Sequence, residues 1–378
     1  MQSDRAQDGK RRVAIVTGTR AEFGLLKPVM HAVQSHPDLQ LLVIAAGSHL
    51  IPPALTFRDV KADFDVADSI PMQRVGRPTR PDDAQALGKG IARFARSFSL
   101  LQPDWVVVLG DRIEAFAAAS AASVGGWALA HIHGGDRAQG IADEAMRHAI
   151  TKLAHLHLPA TAQSADRIHR MGEPDNHIHT VGSPAIDDLA AIQPLDDTRL
   201  SALGNPDTIL LMHPTGRTDE EEEHALNQTL SALDGRRVLA LMPNHDSGRQ
   251  GIIDAITSAH VQTVEHLPRD QFVGLLKRVA RSGLLVGNSS AGLIECAALG
   301  VRALNIGPRQ AGRERADNLT DCTACDQASV RTALADALAR EPSGTHPFGD
   351  GRAGPHIAQH LADTDPHDSS MLRKQCTF

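Results

Sequence analysis

The 378-residue chain reads as an α/β protein built from two parallel-sheet domains. Short apolar runs rich in β-branched residues alternate with longer helix-periodic stretches along most of its length. A segment rich in Pro, Asp, Ala and Gly, 183–207, then separates that alternation into two sets. The length lets each set bury a core of its own.

In the first set, strands are predicted at 12–18, 41–46, 105–110 and 127–133, with helices at 25–34 and 83–100. Residues 19–24 read as the loop after the first strand, and the Pro-rich stretch 71–81 as irregular. The weakly polar run 115–130 is a buried helix followed by a strand, because Gly125 and Gly126 break it too early to span a bilayer. From Ala142 the sequence ADEAMRHAITKLAHLHL reads as one helix. Met146, Ala149, Ile150 and Leu153 would face the core, with Asp143, Glu144, Arg147 and His148 on the opposite side. The second set has strands at 208–213, 237–243, 261–265, 283–287 and 303–307 and a helix near 330–340. The acidic run 219–223 suits a helix start, where negative charge meets the positive end of the dipole. The expected domains are 11–185 and 205–345, followed by a short helix within 355–363 and a loose polar tail at 364–378.

A formal charge of −7 argues against a nucleic-acid partner, which would need a basic surface. A phosphorylated ligand would then depend on local positive charge and oriented amides. Aromatic residues make up 3% of the chain and tyrosine is absent, so no tyrosine platform exists for base stacking. The opening MQSDRAQDGKRR lacks the apolar core of a signal peptide, and no run is long enough to cross a membrane. Four cysteines, two of them in Cys322-Thr-Ala-Cys325, form no disulfide framework. A cytoplasmic protein is expected, with neither a membrane nor a nucleic-acid partner.

The most informative stretch is GLLVGNSSAGLIECAALG, 283–300. A short buried strand turns through Gly287, Asn288, Ser289 and Ser290 into an expected helix that closes at Gly300. Small residues at Ala291 and Gly292 admit close approach to backbone amides, which at a helix start bind anions. Glu295, one turn further on, suits ribose hydroxyls. A helix-capping role for Ser289 or Ser290 is the plainer alternative. The first strand–loop–helix carries Arg20 but matches neither GxGxxG nor GxxxxGK[ST], so neither a dinucleotide fold nor a P-loop is supported. Asp111 lies at the carboxyl end of a strand, as either a functional carboxylate or an N-cap. His131 and His133, on one face of a strand, allow a metal-dependent hydrolase as an alternative.

Taken in order, VTGTRAEFGLLKP (16–28), VVVLGDRIEA (106–115) and AHIHGGDRAQGIADEAMRHAITKLAHLH (130–157) resemble the hydrolysing UDP-N-acetylglucosamine 2-epimerases. VGSPAID, MHPTG, MPNHD, VGNSSAGLIECAALGV and NIGPRQAGRERADN continue the likeness to about residue 320. The resemblance implies two Rossmann-like domains facing a cleft, in the manner of glycosyltransferase-B enzymes, with a final helix crossing back to the first domain. It implies a nucleotide-sugar substrate, no cofactor, no metal and a homodimer. It casts Asp111 and Asp143, with Glu144 adjacent, as acid/base carboxylates. Ser289, Ser290 and Gly292 become the phosphate turn, Glu295 the ribose contact, and His213 and Arg20 the groups bracketing the diphosphate. Glu22, His49, Arg112, Arg147, Asn244, Arg309 and Arg313 join the substrate-binding candidates. Two departures stand out. His133 occupies a position where some members carry glutamate, so His133 and Asp136 are joint candidates for a third acid/base group. Phe23 replaces a common tyrosine. A glycosyltransferase or a non-catalytic nucleotide-sugar sensor of the same fold is the remaining alternative.

Overall fold

The computed structural model describes residues 9–52, 55–76, 80–137, 143–244 and 248–375, with only the backbone of Arg80 and Asp143. It divides into two compact units. The first comprises Met1–Asp136, Ala142–Asp187 and Gly349–Phe378; the second comprises Arg137–Ile141 and Asp188–Phe348.

Unit one is built on β1 (Arg11–Thr17), β2 (Leu39–Ala46), β3 (Val66–Ile70), β4 (Trp105–Leu109), β5 (Ala128–Ile132) and β6 (Leu156–Leu158). Their order across the sheet is β3-β2-β1-β4-β5-β6, and every neighbouring pair is parallel. A parallel sheet covered by helices on both faces needs strands that are apolar on both sides. Accordingly, all five residues of β4 and of β5 are buried. One face packs Ile15, Val43, Val107 and Ile132 against the helix Arg20–Ser35 and the helix Ala353–Asp363; the other packs Val16, Ile44 and Val108 against Phe94, Phe98 and the Ala-rich helix Ile113–Gly125.

Unit two repeats the plan with β7 (Thr208–Leu211), β8 (Val238–Leu241), β9 (Gln262–Val264), β10 (Leu284–Gly287), β11 (Arg302–Ile306) and β12 (Leu319–Cys322). The order is β12-β11-β10-β7-β8-β9, again parallel throughout. In both sheets the first strand lies beside the fourth, so the winding direction reverses there. In open α/β sheets, the crevice beyond the strand ends at that reversal is where ligands bind.

Several elements differ from the sequence reading. The first helix starts at Arg20 rather than Leu25, because Thr19 caps it by accepting the Glu22 N–H at 3.2 Å. The stretch after Asp143 is not one helix: it ends at Leu153, and Leu156–Leu158 turns back into the sheet as β6. Edge strands β3 and β12 were not anticipated. Residues 188–207 do not form a free linker. Lys277 donates to the carbonyls of Ala190 (3.4 Å) and Ile192 (2.5 Å), and Arg278 to that of Leu195 (2.9 Å), tying the segment to unit two. The tail is held as well: Ser369–Leu372 forms a helical turn, Met371 is buried, and Lys374 pairs with Glu173 at 2.7 Å. Among the described residues, no helix is long and apolar enough to cross a membrane.

Candidate functional site

In unit one the reversal point falls between the loops after β1 and β4, which carry Gly18–Arg20 and Gly110–Arg112. Asp111 is paired with Arg147, whose guanidinium is buried and also donates to the His133 carbonyl at 3.3 Å. Periodicity had put Arg147 on the polar face of its helix; burial is possible because the Asp111 carboxylate neutralises it. Arg147 stands one turn into the helix Asp143–Leu153, so the backbone of Asp143 and the Asp111 carboxylate are mounted on connected parts of one unit. The Asp143 side chain lies outside the described residues. Glu144 is half-buried and 3.6 Å from His148.

His131 and His133 do not form a ligand pair on one strand face, since β5 ends at Ile132 and His133 takes a left-handed φ of 61°. His131 is fully buried, its Nε2 2.8 Å from the Gly110 carbonyl and its Nδ1 3.2 Å from Thr151. Burial drops its pKa to about 3, so it is neutral. His133 is bonded at both nitrogens: Nδ1 to the Asp136 carboxylate (2.9 Å) and Nε2 to Ser183 Oγ (3.1 Å). The other oxygen of Asp136 accepts from Ser164 at 2.8 Å. The two candidates for the third acid/base role are thus one hydrogen-bonded unit.

His49 is enclosed, with Thr17 Oγ1 3.0 Å from Nε2 and Thr56 Oγ1 2.6 Å from Nδ1, and burial takes its pKa to about 4. It supports the wall and offers a ligand no nitrogen. Phe23 packs edge-on against His49 and Phe64 in the core, so the missing tyrosine hydroxyl is not lost from a ligand-facing position. Arg20 is exposed in the first helical turn. Glu22 is buried with one oxygen on the Gly18 N–H at 2.8 Å. Burial raises it to about 8, with nearby Glu114 adding to the rise and the Gly18 bond opposing it.

Glu114 is a residue the sequence reading passed over. It is fully buried, and the Ser48 backbone and the Gln73 side chain reach its carboxyl. Burial raises its pKa, against the pull of Arg112 and of the hydrogen bonds from Ser48 and Gln73. Gly47 makes room for it: at φ 56° a Cβ there would fall 2.1 Å from Glu114 Oε1. The only signal in the sequence was an acid in the first turn of an otherwise Ala-rich helix.

In unit two the reversal joins the loop after β7, carrying His213, to the loop after β10, carrying Asn288–Ser290. Gly287 is required where these strands meet: at φ 149° a Cβ would lie 2.0 Å from the Leu211 carbonyl. Asn288 then bonds both backbone groups of His213, accepting its N–H and donating to its carbonyl, each at 2.8 Å. Arg309 (3.1 Å) and Gln310 (2.8 Å) donate to the Asn288 carbonyl. The Asn244 N–H donates to His213 Nδ1 at 3.3 Å, and Arg313 to the Arg137 carbonyl at 2.9 Å.

The expected long helix after the serine turn is not present. Ser289 caps a 3₁₀ turn, Ser290–Gly292, by accepting the Ala291 N–H at 3.3 Å, and a separate four-residue helix, Glu295–Ala298, follows. Asn318 pins the turn by donating to the Gly292 and Val301 carbonyls, both at 3.0 Å. Any anion binding here rests on local amides and hydroxyls rather than on a long helix dipole. Glu295 is nearly buried, with Arg269 3.9 Å away.

Two parallel six-stranded sheets with polar loops at both strand-order reversals define a protein of two Rossmann-like domains, the glycosyltransferase-B type of fold. Residues 31–362 match the UDP-N-acetylglucosamine 2-epimerase family, and the chain belongs to it. It is 34% identical over 380 residues to the UDP-N,N'-diacetylbacillosamine 2-epimerase (hydrolyzing) of Legionella pneumophila, covering 96% of this chain and 98% of that one. To the UDP-N-acetylglucosamine 2-epimerase of Neisseria meningitidis serogroup B it is 31% identical over 80% of this chain and 81% of the relative. The fold also resembles that of Methanocaldococcus jannaschii UDP-GlcNAc 2-epimerase in complex with UDP-GlcNAc and UDP. There the TM-score is 0.79 at 18% identity, over 93% of this chain and all of that one.

Proposed function

We propose that this member of the family is a hydrolysing epimerase. Its substrate is UDP-N-acetylglucosamine or a UDP-linked 2,4-diacetamido-trideoxy sugar, and its products are UDP and the free 2-epimeric sugar. The observation that carries the reading is the Asp111 carboxylate, held at the carboxyl end of β4 by a buried arginine from the helix that Asp143 begins.

The C2–H bond of an N-acetylhexosamine is not flanked by a carbonyl, so it cannot exchange its proton as a simple enol. In the proposed route a carboxylate takes the C2 proton, the C–H pair becomes the C1=C2 bond, and UDP leaves with the C1–O pair. Water then adds its oxygen to C1, and C2 receives a proton on the opposite face. Asp111 and Asp143 are assigned the proton transfers, with the His133–Asp136 unit and Glu144 beside them. Proton removal and return call for groups in different environments. Arg147 holds the Asp111 side chain in place. In unit two, Ser289, Ser290, Gly292, His213, Arg309 and Arg313 are assigned to the diphosphate and Glu295 to the ribose; in unit one, Arg20 and Arg112 remain substrate-binding candidates. The 34% likeness to a diacetylbacillosamine enzyme favours the diacetamido sugar.

Each nucleotide sugar is incubated in D2O and followed by NMR. The expected products are UDP and a free 2-inverted sugar deuterated at C2; an epimer still attached to UDP would refute hydrolysis. Alanine at Asp111 should lower turnover by at least about 10²-fold while UDP still binds. Loss of UDP affinity in that variant would reassign Asp111 to binding.

A further inference from the structure

Ser183, at the start of the stretch that separates the two sets of elements in the sequence, is fully buried in unit one. Among the described residues its Oγ has two partners: the Ala185 N–H at 3.3 Å and His133 Nε2 at 3.1 Å. A backbone amide can only donate, so the hydroxyl accepts from Ala185. Were Nε2 protonated as well, the hydroxyl proton would be buried without an acceptor, which costs more than the bond gains. The hydroxyl therefore donates to Nε2, and the ring proton sits on Nδ1, 2.9 Å from the Asp136 carboxylate. The other Asp136 oxygen accepts from Ser164 at 2.8 Å.

The backbone is bent to suit this chain of bonds. His133 takes a left-handed φ of 61°, uncommon for any residue but glycine. Its N–H is anchored on the Leu158 carbonyl at 3.2 Å and its carbonyl by Arg147 at 3.3 Å. Strain over-determined in this way points to a functional constraint. Gly135 lets the turn close on Asp136, since a Cβ there would fall 2.2 Å from the Ser164 carbonyl.

We propose that Ser183 and His133 are positioning residues for Asp136: the hydroxyl fixes the imidazole tautomer, and the Nδ1–H orients the carboxylate. The order hydroxyl, imidazole, carboxylate is that of a nucleophilic triad, but the enclosed Ser183 is out of a substrate's reach and both imidazole nitrogens are engaged within unit one. The ring thus acts through Asp136, and of the two joint candidates the third acid/base role falls to the carboxylate. That last step rests on the epimerase reading; the tautomer does not.

In His133→Asn the side-chain amide keeps an N–H where Nδ1–H stands, and asparagine accepts a left-handed backbone. This variant should keep kcat within about tenfold of the parent, whereas His133→Gln and His133→Ala should lose about 10²-fold, the scale of a misplaced catalytic group. Ser183→Ala should lower kcat by about threefold to tenfold, the worth of one hydrogen bond, with KM little changed and cooperative unfolding retained. In the ligand-free protein with ¹⁵N-labelled histidine, the resonances missing from His133→Asn should show a protonated Nδ1 and a bare Nε2 at neutral pH, and Ser183→Ala should shift them. A protonated Nε2 in the parent, an Asn variant as inactive as Ala, or a Ser183→Ala protein with the parent's spectrum and kcat would overturn the proposal. If no nucleotide sugar is turned over, the proposed function fails, and the NMR result alone decides the tautomer.

Discussion

Glu22 and Glu114 carry the clearest pH signature in the molecule. Burial holds Glu22 near 8 against 4.5 for an ordinary carboxyl, and Glu114 is raised too. Between those two values the unfolded chain releases the Glu22 proton while the folded protein keeps it. The stabilisation is therefore complete below 4.5 and is lost as the pH rises through 8. Glu22→Gln keeps an oxygen for the Gly18 N–H but removes the titration. Its stability relative to the parent should climb over that interval, by at most about 1.4 kcal/mol per pH unit. Urea denaturation at several pH values checks this, and parallel curves for the two proteins would contradict it. Asp111 and the serine turn could be picked out by their place at strand ends. Arg147 and Glu114 could not, because their partners or enclosing loops are distant in sequence and local periodicity assigns a charged side chain to the surface.

Strands and helices were legible where burial is two-sided. β1, β4, β7, β10 and β11 are short apolar runs because helices cover both faces. The edge strands escaped notice for the opposite reason: β3 (VADSI) and β12 (LTDC) are partly exposed and polar. β6 was hidden because LHL continues the apolar spacing of the preceding helix. The C-terminal segment shows how little a polar composition says about order. Glu173, almost fully enclosed, accepts from Lys152 (2.5 Å), His157 (3.0 Å) and Lys374 (2.7 Å). Burial alone would raise its pKa, but these partners outweigh it and bring it to about 2. Lys374 also donates to the Lys152 and Ala154 carbonyls, closing the end of the helix that Asp143 opens. Lys374→Ala should destabilise the protein by about 1–3 kcal/mol, the usual worth of hydrogen bonds to a charged group that becomes under-satisfied. An unchanged urea midpoint would show that the tail contributes nothing.

The two sheets share one winding order, and in each the residues proposed to act on the ligand gather at the strand reversal. That gathering was legible only after the order of strands was known, since sequence spacing does not reveal which loops are neighbours. If unit two holds UDP as proposed, UDP at about 100 times its Kd should stabilise the protein by about 2.7 kcal/mol, seen as a higher Tm. No change with UDP would count against that assignment. The enclosed Glu114 also constrains how this sequence can diverge. Its carboxyl occupies the volume that any β-carbon at position 47 would need. Position 47 is therefore held to glycine twice over: a side chain there would meet the acid and would also strain a left-handed backbone, so shortening Glu114 alone would not free it.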